Sequence, residues 1–157
     1  DRATARQFID AYFKEFHGIA RYMEQTKRRA AENGSVQTLF GRKRLLPDIT
    51  SAVPFIRAQA ERMAINHPIQ GTEADLIKMA MIAVDEYLRR ENLSGDVRML
   101  LQVHDELVFE IRQTQVQTLA PVLKNIMETI YALDVPLTVD IKYGTRWGTM
   151  MPLHHTT

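Results

Sequence analysis

The 157 residues are 45% hydrophobic and 25% charged, which is long and apolar enough to bury a sizeable core and excludes a disordered chain. With 20 Lys and Arg against 19 Asp and Glu, the net charge of +1 gives no global pull towards an anionic polymer, so any such surface has to come from clustering. The absence of cysteine excludes disulfides and thiolate metal sites. No apolar run approaches the roughly 18 residues that span a bilayer. The opening Asp1-Arg2-Ala3 lacks a signal-peptide shape. A soluble, cytoplasmic protein with no membrane partner is expected, and the missing initiator methionine reads as a piece of a longer chain.

From Ala3 to Glu32 the chain reads as helical. Phe8, Ala11, Tyr12 and Phe16 are spaced as one apolar stripe, and Ile19, Tyr22, Met23 and Thr26 follow, with Gly18 expected to separate two helices. Asn33-Gly34 is a helix stop. Val36 to Phe40 alternates in strand fashion before the basic turn Gly41-Arg42-Lys43-Arg44 and the run Leu45-Leu46-Pro47, which together read as a small exposed hairpin. Pro54 suits the first turn of a helix running to about Asn66. Pro68 is expected to end that helix, because the residue before a proline is pushed out of the α region. Gly71-Thr72 then opens the longest helix, with Ala74, Ile77, Met81, Val84 and Leu88 three or four apart on the face that should cover a sheet.

After the linking loop Asn92-Leu-Ser-Gly95 comes the most informative stretch, Leu100 to Glu110. Val97, Met99, Leu101 and Val103 alternate before the polar island His104-Asp105-Glu106, and Leu107, Phe109 and Ile111 alternate after it, so the whole reads as a β-hairpin. A turn chosen for geometry alone favours Asn-Gly or Asp-Gly, whereas this one carries a titratable ring and two adjacent carboxylates. Neighbouring strand residues face opposite ways, so one of Asp105 and Glu106 should be the principal ligand of any shared ion. Taken alone, three polar residues at a tip read as a solvated turn.

Gln115 to Tyr131 is amphipathic through Val116, Leu119, Leu123, Ile126 and Ile130, although Pro121 counts against a helix there. Val135 to Ile141 alternates as a last strand, and Met150 to Thr157 reads as a loose tail whose His154-His155 pair receives no role. Segregated antiparallel strands covered by helices give the α+β class.

Arg62, Asn66 and Gln70 lie at i, i+4 and i+8, so an unbroken helix puts three hydrogen-bond donors on one face. The minor groove of a duplex presents acceptors on every base pair, so such donors check pair shape without reading sequence. The competing reading is a polar helix face with Arg62 bonded to a neighbouring carboxylate such as Glu61 or Asp75. Basic runs at Lys27 to Arg29 and Arg42 to Arg44 suit phosphate backbones, though most such runs are only solvated surface.

Two of these stretches resemble family A DNA polymerases. Gln102 to Glu110 is similar to that family's third motif, and Arg62 to Lys78, with Asn66-x-Pro68-x-Gln70-Gly71-Thr72, is similar to the segment opening its long palm helix. Phe13 to Met23 and Thr38 to Asp48 extend the likeness to almost the whole chain. The resemblance implies an antiparallel palm-type sheet with a central hairpin, covered by helices, and N-terminal helices at the fingers/palm junction. It treats 1–157 as a single unit: helices and basic hairpin over 1–50, palm over 51–149 and tail over 150–157.

The resemblance further implies DNA-directed DNA polymerase chemistry serving replication and repair. In it a primer 3′-hydroxyl attacks the α-phosphate of a deoxynucleoside triphosphate (dNTP), with two Mg²⁺ ions shared between this chain and carboxylates outside it. Asp105 becomes the metal carboxylate and Glu106 its weaker neighbour. His104 meets the primer terminus, Arg62 and Gln70 touch the newest base pair with Asn66 assisting, and Arg42 contacts primer-template DNA. The family's other aspartate and its triphosphate-binding fingers helix have no counterpart here, so the N-terminal remainder is an implied partner and the fragment alone is expected to be inactive. His17, where the family often has proline, and Glu73, where alanine is common, depart from the pattern. The alternatives are a non-catalytic duplex-binding module and, more weakly, a stand-alone metal nuclease.

Overall fold

Helix α1 (Arg2–Glu15) starts on Asp1, whose carboxylate accepts a hydrogen bond from the Thr4 amide at 2.8 Å and satisfies one of the open donors of the first turn. The computed structural model describes residues 1–153, and the described chain divides into two units, one ending at Thr72 and one beginning at Glu73. His154 and His155 lie outside the described residues.

In the first unit the helix break falls at Phe16 (φ −100°, ψ 56°), and Gly18 sits inside helix α2 (His17–Asn33), contrary to the expectation from sequence. A single glycine costs about 1 kcal/mol in a helix interior, which does not stop a helix when flanking residues continue it. Gly34, at φ 64°, closes α2 as expected, and its amide bonds the Ala30 carbonyl at 2.8 Å. No residue of α1 is buried: Phe8 is 73% exposed, and the rings of Tyr12 and Phe16 meet at a tilt of 47° with centroids 4.8 Å apart.

Strands β1 (Ser35–Gln37) and β2 (Lys43–Leu45) form the expected hairpin, shorter than the alternation suggests. Leu39 and Phe40 belong to its loop, and Lys43 and Arg44 stand in a strand and not in the turn. Ala30, Val36, Leu46, Ile49, Ala60 and Ala64 close the core of this unit. The alanines of helix α3 (Pro54–Arg90) leave room for the hairpin to approach.

Pro54 opens α3 as expected, but Pro68 does not end it; the helix runs on to Arg90, 37 residues in all. Proline removes one helical hydrogen bond and crowds the carbonyl four residues back. Around Pro68 side chains bond the helix carbonyls: Tyr22 reaches Ile65 O from α2 at 2.9 Å, and Thr72, one turn further along α3, reaches Pro68 O at 2.5 Å.

In the second unit the buried line along α3 is Leu76, Ala80, Val84 and Leu88, whereas Ala74, expected in the stripe, is exposed. Val84 and Leu88 join Val97, Leu119 and Leu123 in the second core, with Met99, Phe109 and Ile111 packed against it. Strands β3 (Val97–Val103) and β4 (Glu106–Ile111) pair antiparallel, with a register shift between Met99 and Leu101. That bulge defeats the period-two reading: Leu101 is 54% exposed and does not share the Val97 face.

Helix α4 (Val116–Glu128) follows a 3₁₀ turn and carries Pro121 inside it, because burial of Leu119, Ala120 and Leu123 holds the helix through the proline. Val135 to Ile141 forms no ladder; its Val139 amide bonds the Glu128 carboxylate at 2.8 Å instead. A strand needs a paired neighbour, and alternation alone supplies none. Pairing occurs one step later, between β5 (Lys142–Tyr143) and β6 (Met151–Pro152), so Met151 and Pro152 are not a loose tail. Among the described residues the strands form three two-stranded antiparallel sheets beside four α-helices, the α+β class expected. No helix among them is long and apolar enough to cross a membrane.

Candidate functional site

The first group of candidate residues stands on α3. Because the helix runs unbroken through Pro68, Arg62, Asn66 and Gln70 fall on one face, as an unbroken helix requires. They line a cleft of about 310 Å³ together with Arg44, Gln59, Met63 and His67. Their polar ends are exposed, which leaves their donors open to a ligand. Glu61, suggested as a partner for Arg62, instead faces Arg57 at 3.9 Å.

Reading by residue type missed Gln59 and His67, and it named Arg44 only as part of a basic run, without placing it in this cleft. Gln59 lies three residues before Arg62, so helical spacing alone was enough to add it to the face. Arg44 reaches the cleft from β2, where its guanidinium meets the Met63 sulfur at 3.2 Å, and only the hairpin fold brings it there.

Arg42 is exposed in the β1–β2 loop, and its Nη2 donates to the Gly71 carbonyl at 2.8 Å. The loop is tied to α3 again through the Leu39 amide, which donates to the Thr72 hydroxyl at 2.9 Å. Of the other basic residues, Lys27 pairs with Glu24 and Arg28 lies 3.6 Å from Glu32. Exposed pairs of this kind contribute little to stability.

The second group stands at the tip of the β3–β4 hairpin. Val103 and Glu106 are paired, so only His104 and Asp105 make the turn, and Glu106 is the first residue of β4. His104 has φ 53°, and no positive φ occurs at Asp105. Positive φ at the first central residue alone is the sign pattern of a type II′ turn, whose usual occupant is glycine. A histidine there holds a left-handed conformation that costs on the order of 1–2 kcal/mol, and such strain clusters at functional sites. The Gln102 side chain donates from Nε2 to the His104 carbonyl and pins the turn.

His104, Asp105 and Glu106 are all exposed. The two carboxylates offer the hard oxygen donors that Mg²⁺ prefers. Among the described residues no group of three or more His, Asp or Glu side chains is placed to hold a metal ion. The tip therefore offers carboxylate oxygens of the kind Mg²⁺ takes, from two of the described residues, Asp105 and Glu106.

A family model described as DNA polymerase family A matches residues 1–149. The chain is 46% identical to DNA polymerase I of Pseudomonas aeruginosa over 147 residues, 94% of this chain. It is 47% identical to DNA polymerase I of Chloroflexus aurantiacus over 154 residues, 98% of this chain. With the thermostable DNA polymerase I of Thermus aquaticus the identity is 43% over 143 residues, 91% of this chain. The chain spans only 16%, 16% and 17% of the lengths of these relatives. Among solved structures, the POL domain of Pol1 from M. smegmatis in complex with DNA primer-template and dNTP superposes with a TM-score of 0.80 at 39% identity, covering 87% of this chain and 24% of that one.

Proposed function

The chain belongs to DNA polymerase family A, and from that premise we propose that it is the C-terminal part of a DNA-directed DNA polymerase that extends a primer 3′-hydroxyl with dNTPs. The observation that carries this reading is the family match over 1–149, which includes both the donor-lined face of α3 and the acidic hairpin tip. The M. smegmatis neighbour, solved with primer-template DNA and dNTP, supports the choice of ligands. In this reading residues 1–50 belong to the fingers/palm junction and 51–149 to the palm. The protein acts inside a bacterial cell or a phage-infected one.

Asp105 serves as the principal metal carboxylate and Glu106 as a weaker one, completing with carboxylates outside this chain a site for two Mg²⁺ ions. When bound, such ions supply Lewis-acid stabilisation of the attacking and leaving oxygens of an in-line phosphoryl transfer. The exposed ring of His104 holds the primer-terminal phosphate or sugar, and the strained turn fixes where that ring points. Arg62 and Gln70, with Asn66 beside them, donate to minor-groove acceptors that every correctly shaped pair presents, so they test shape and not sequence. Arg42 lies beside the primer-template strand.

The experiment is primer extension by the full protein carrying this segment, with primer-template, matched dNTP and Mg²⁺, reading pyrophosphate release together with salt-dependent duplex binding. Extension that needs all three components supports the polymerase. Binding without extension assigns the chain to the non-catalytic duplex-binding class.

A further inference from the structure

The β1–β2 loop grips α3 at one place. Thr38 is buried, and its hydroxyl accepts from the Arg42 amide at 3.2 Å, which sets the course of the loop. Arg42 then donates to Gly71 O at 2.8 Å, while the Thr72 hydroxyl accepts from the Leu39 amide at 2.9 Å and donates to Pro68 O at 2.5 Å. The approach is close enough that a Cβ on Gly71 would stand 2.6 Å from the Thr38 methyl. Thr38 is β-branched and buried, so it has little freedom to give way.

Gln70 sits between the two bonded carbonyls, Pro68 O and Gly71 O. Proline leaves the turn from Ala64 to Pro68 one hydrogen bond short, so α3 is loosened just ahead of Gln70, and bonds from the loop to the turn that follows help hold its course. The Arg42 guanidinium spends a charge-assisted bond on this backbone, and such bonds are among the strong ones.

We infer that the Thr38–Arg42 loop is a clasp that positions Gln70, and that Arg42 is a positioning residue acting through Gly71 and not chiefly a phosphate contact. The inference rests on the polymerase reading above and adds to it which residues set the minor-groove donors. A donor that checks base-pair shape discriminates only if its backbone cannot follow the pair, and displacement of such a group by about 1 Å costs up to about 100-fold in rate.

The test uses the full protein and compares Arg42→Gln, Gln70→Ala and the double variant, reading kcat/KM for extension of matched and mismatched primer termini, and the salt slope of duplex binding. A clasp predicts that Arg42→Gln lowers matched extension on the order of 10-fold, leaves the salt slope unchanged, and adds nothing once Gln70 is alanine. A second arm needs no change of charge. Gly71→Ala should produce the same loss, and Thr38→Ser, which removes the methyl in the way and keeps the hydroxyl, should restore part of it in the double variant. Additive losses, a salt slope reduced by about one for Arg42→Gln, or a Gly71→Ala variant with full discrimination would overturn the inference. A wild-type protein that fails to extend any primer sinks the polymerase reading instead.

Discussion

Val103 and Glu106 face each other across a turn of only two residues, so Asp105 stands at the apex of the hairpin and Glu106 on its first strand position. The two adjacent carboxylates thus occupy different structural environments, which gives a reason for unequal roles. The turn is held by backbone that histidine adopts with difficulty, at φ 53°.

Replacing His104 by glycine relieves that conformation. The gain is the left-handed cost of about 1–2 kcal/mol less the extra flexibility of glycine, about 0.5–1 kcal/mol. The variant should be up to about 1.5 kcal/mol more stable by urea midpoint while extending primers more slowly. A variant both less stable and fully active would contradict the role given to this turn.

The bulge after Met99 makes a second prediction. Leu123→Ala removes a side chain 4% exposed in the core and should cost about 2–5 kcal/mol. Leu101→Ala, at a position 54% exposed, should change the urea midpoint by about 0.5 kcal/mol or less. Equal losses would mean that the alternation holds through the whole strand.

That contrast marks where the sequence is readable. Element types follow from local patterns, so the hairpins, the αL stop at Gly34 and the helical start at Pro54 were all legible. Pro68 and Val135 to Ile141 were not, because their state depends on partners distant in sequence. Tyr22, 43 residues away, bonds the Ile65 carbonyl near Pro68, and among the described residues no strand pairs with Val135 to Ile141. The candidate site divides in the same way. The spacing of Arg62, Asn66 and Gln70 puts them on one face only if the helix runs through Pro68, where the sequence predicts its end, and Arg44 enters their cleft only through the fold of the hairpin.

Tyr22 offers a test of the support for α3. Burial raises its pKa above the ordinary value of 10.0, and the Thr26 hydrogen bond works against that shift. Because the folded state then keeps its phenol proton longer than the unfolded one, this contribution to stability is complete below pH 10 and is lost as pH rises through the folded value. Tyr22→Phe should remove that alkaline dependence and, by leaving Ile65 O without its 2.9 Å bond, cost about 0.5–1.5 kcal/mol at neutral pH. An unchanged alkaline limb in the melting profile would assign the loss to another group.

Pro68→Ala restores an amide donor to α3. Alanine is favoured over proline by about 3 kcal/mol in a helix interior, so a gain of about 1–3 kcal/mol in unfolding free energy is expected. A loss would show that the helix is built around the proline ring and does not merely tolerate it.

In the proposed function Asp105 brings an oxygen ligand to magnesium in nucleotidyl transfer. The most direct measurement is single-turnover incorporation by the full protein with Asp105→Ala, beside duplex binding by the same variant. Loss of metal stabilisation worth several kcal/mol predicts a rate reduced by roughly 1000-fold or more with binding retained. Incorporation at the wild-type rate would remove Asp105 from the chemistry and the account with it.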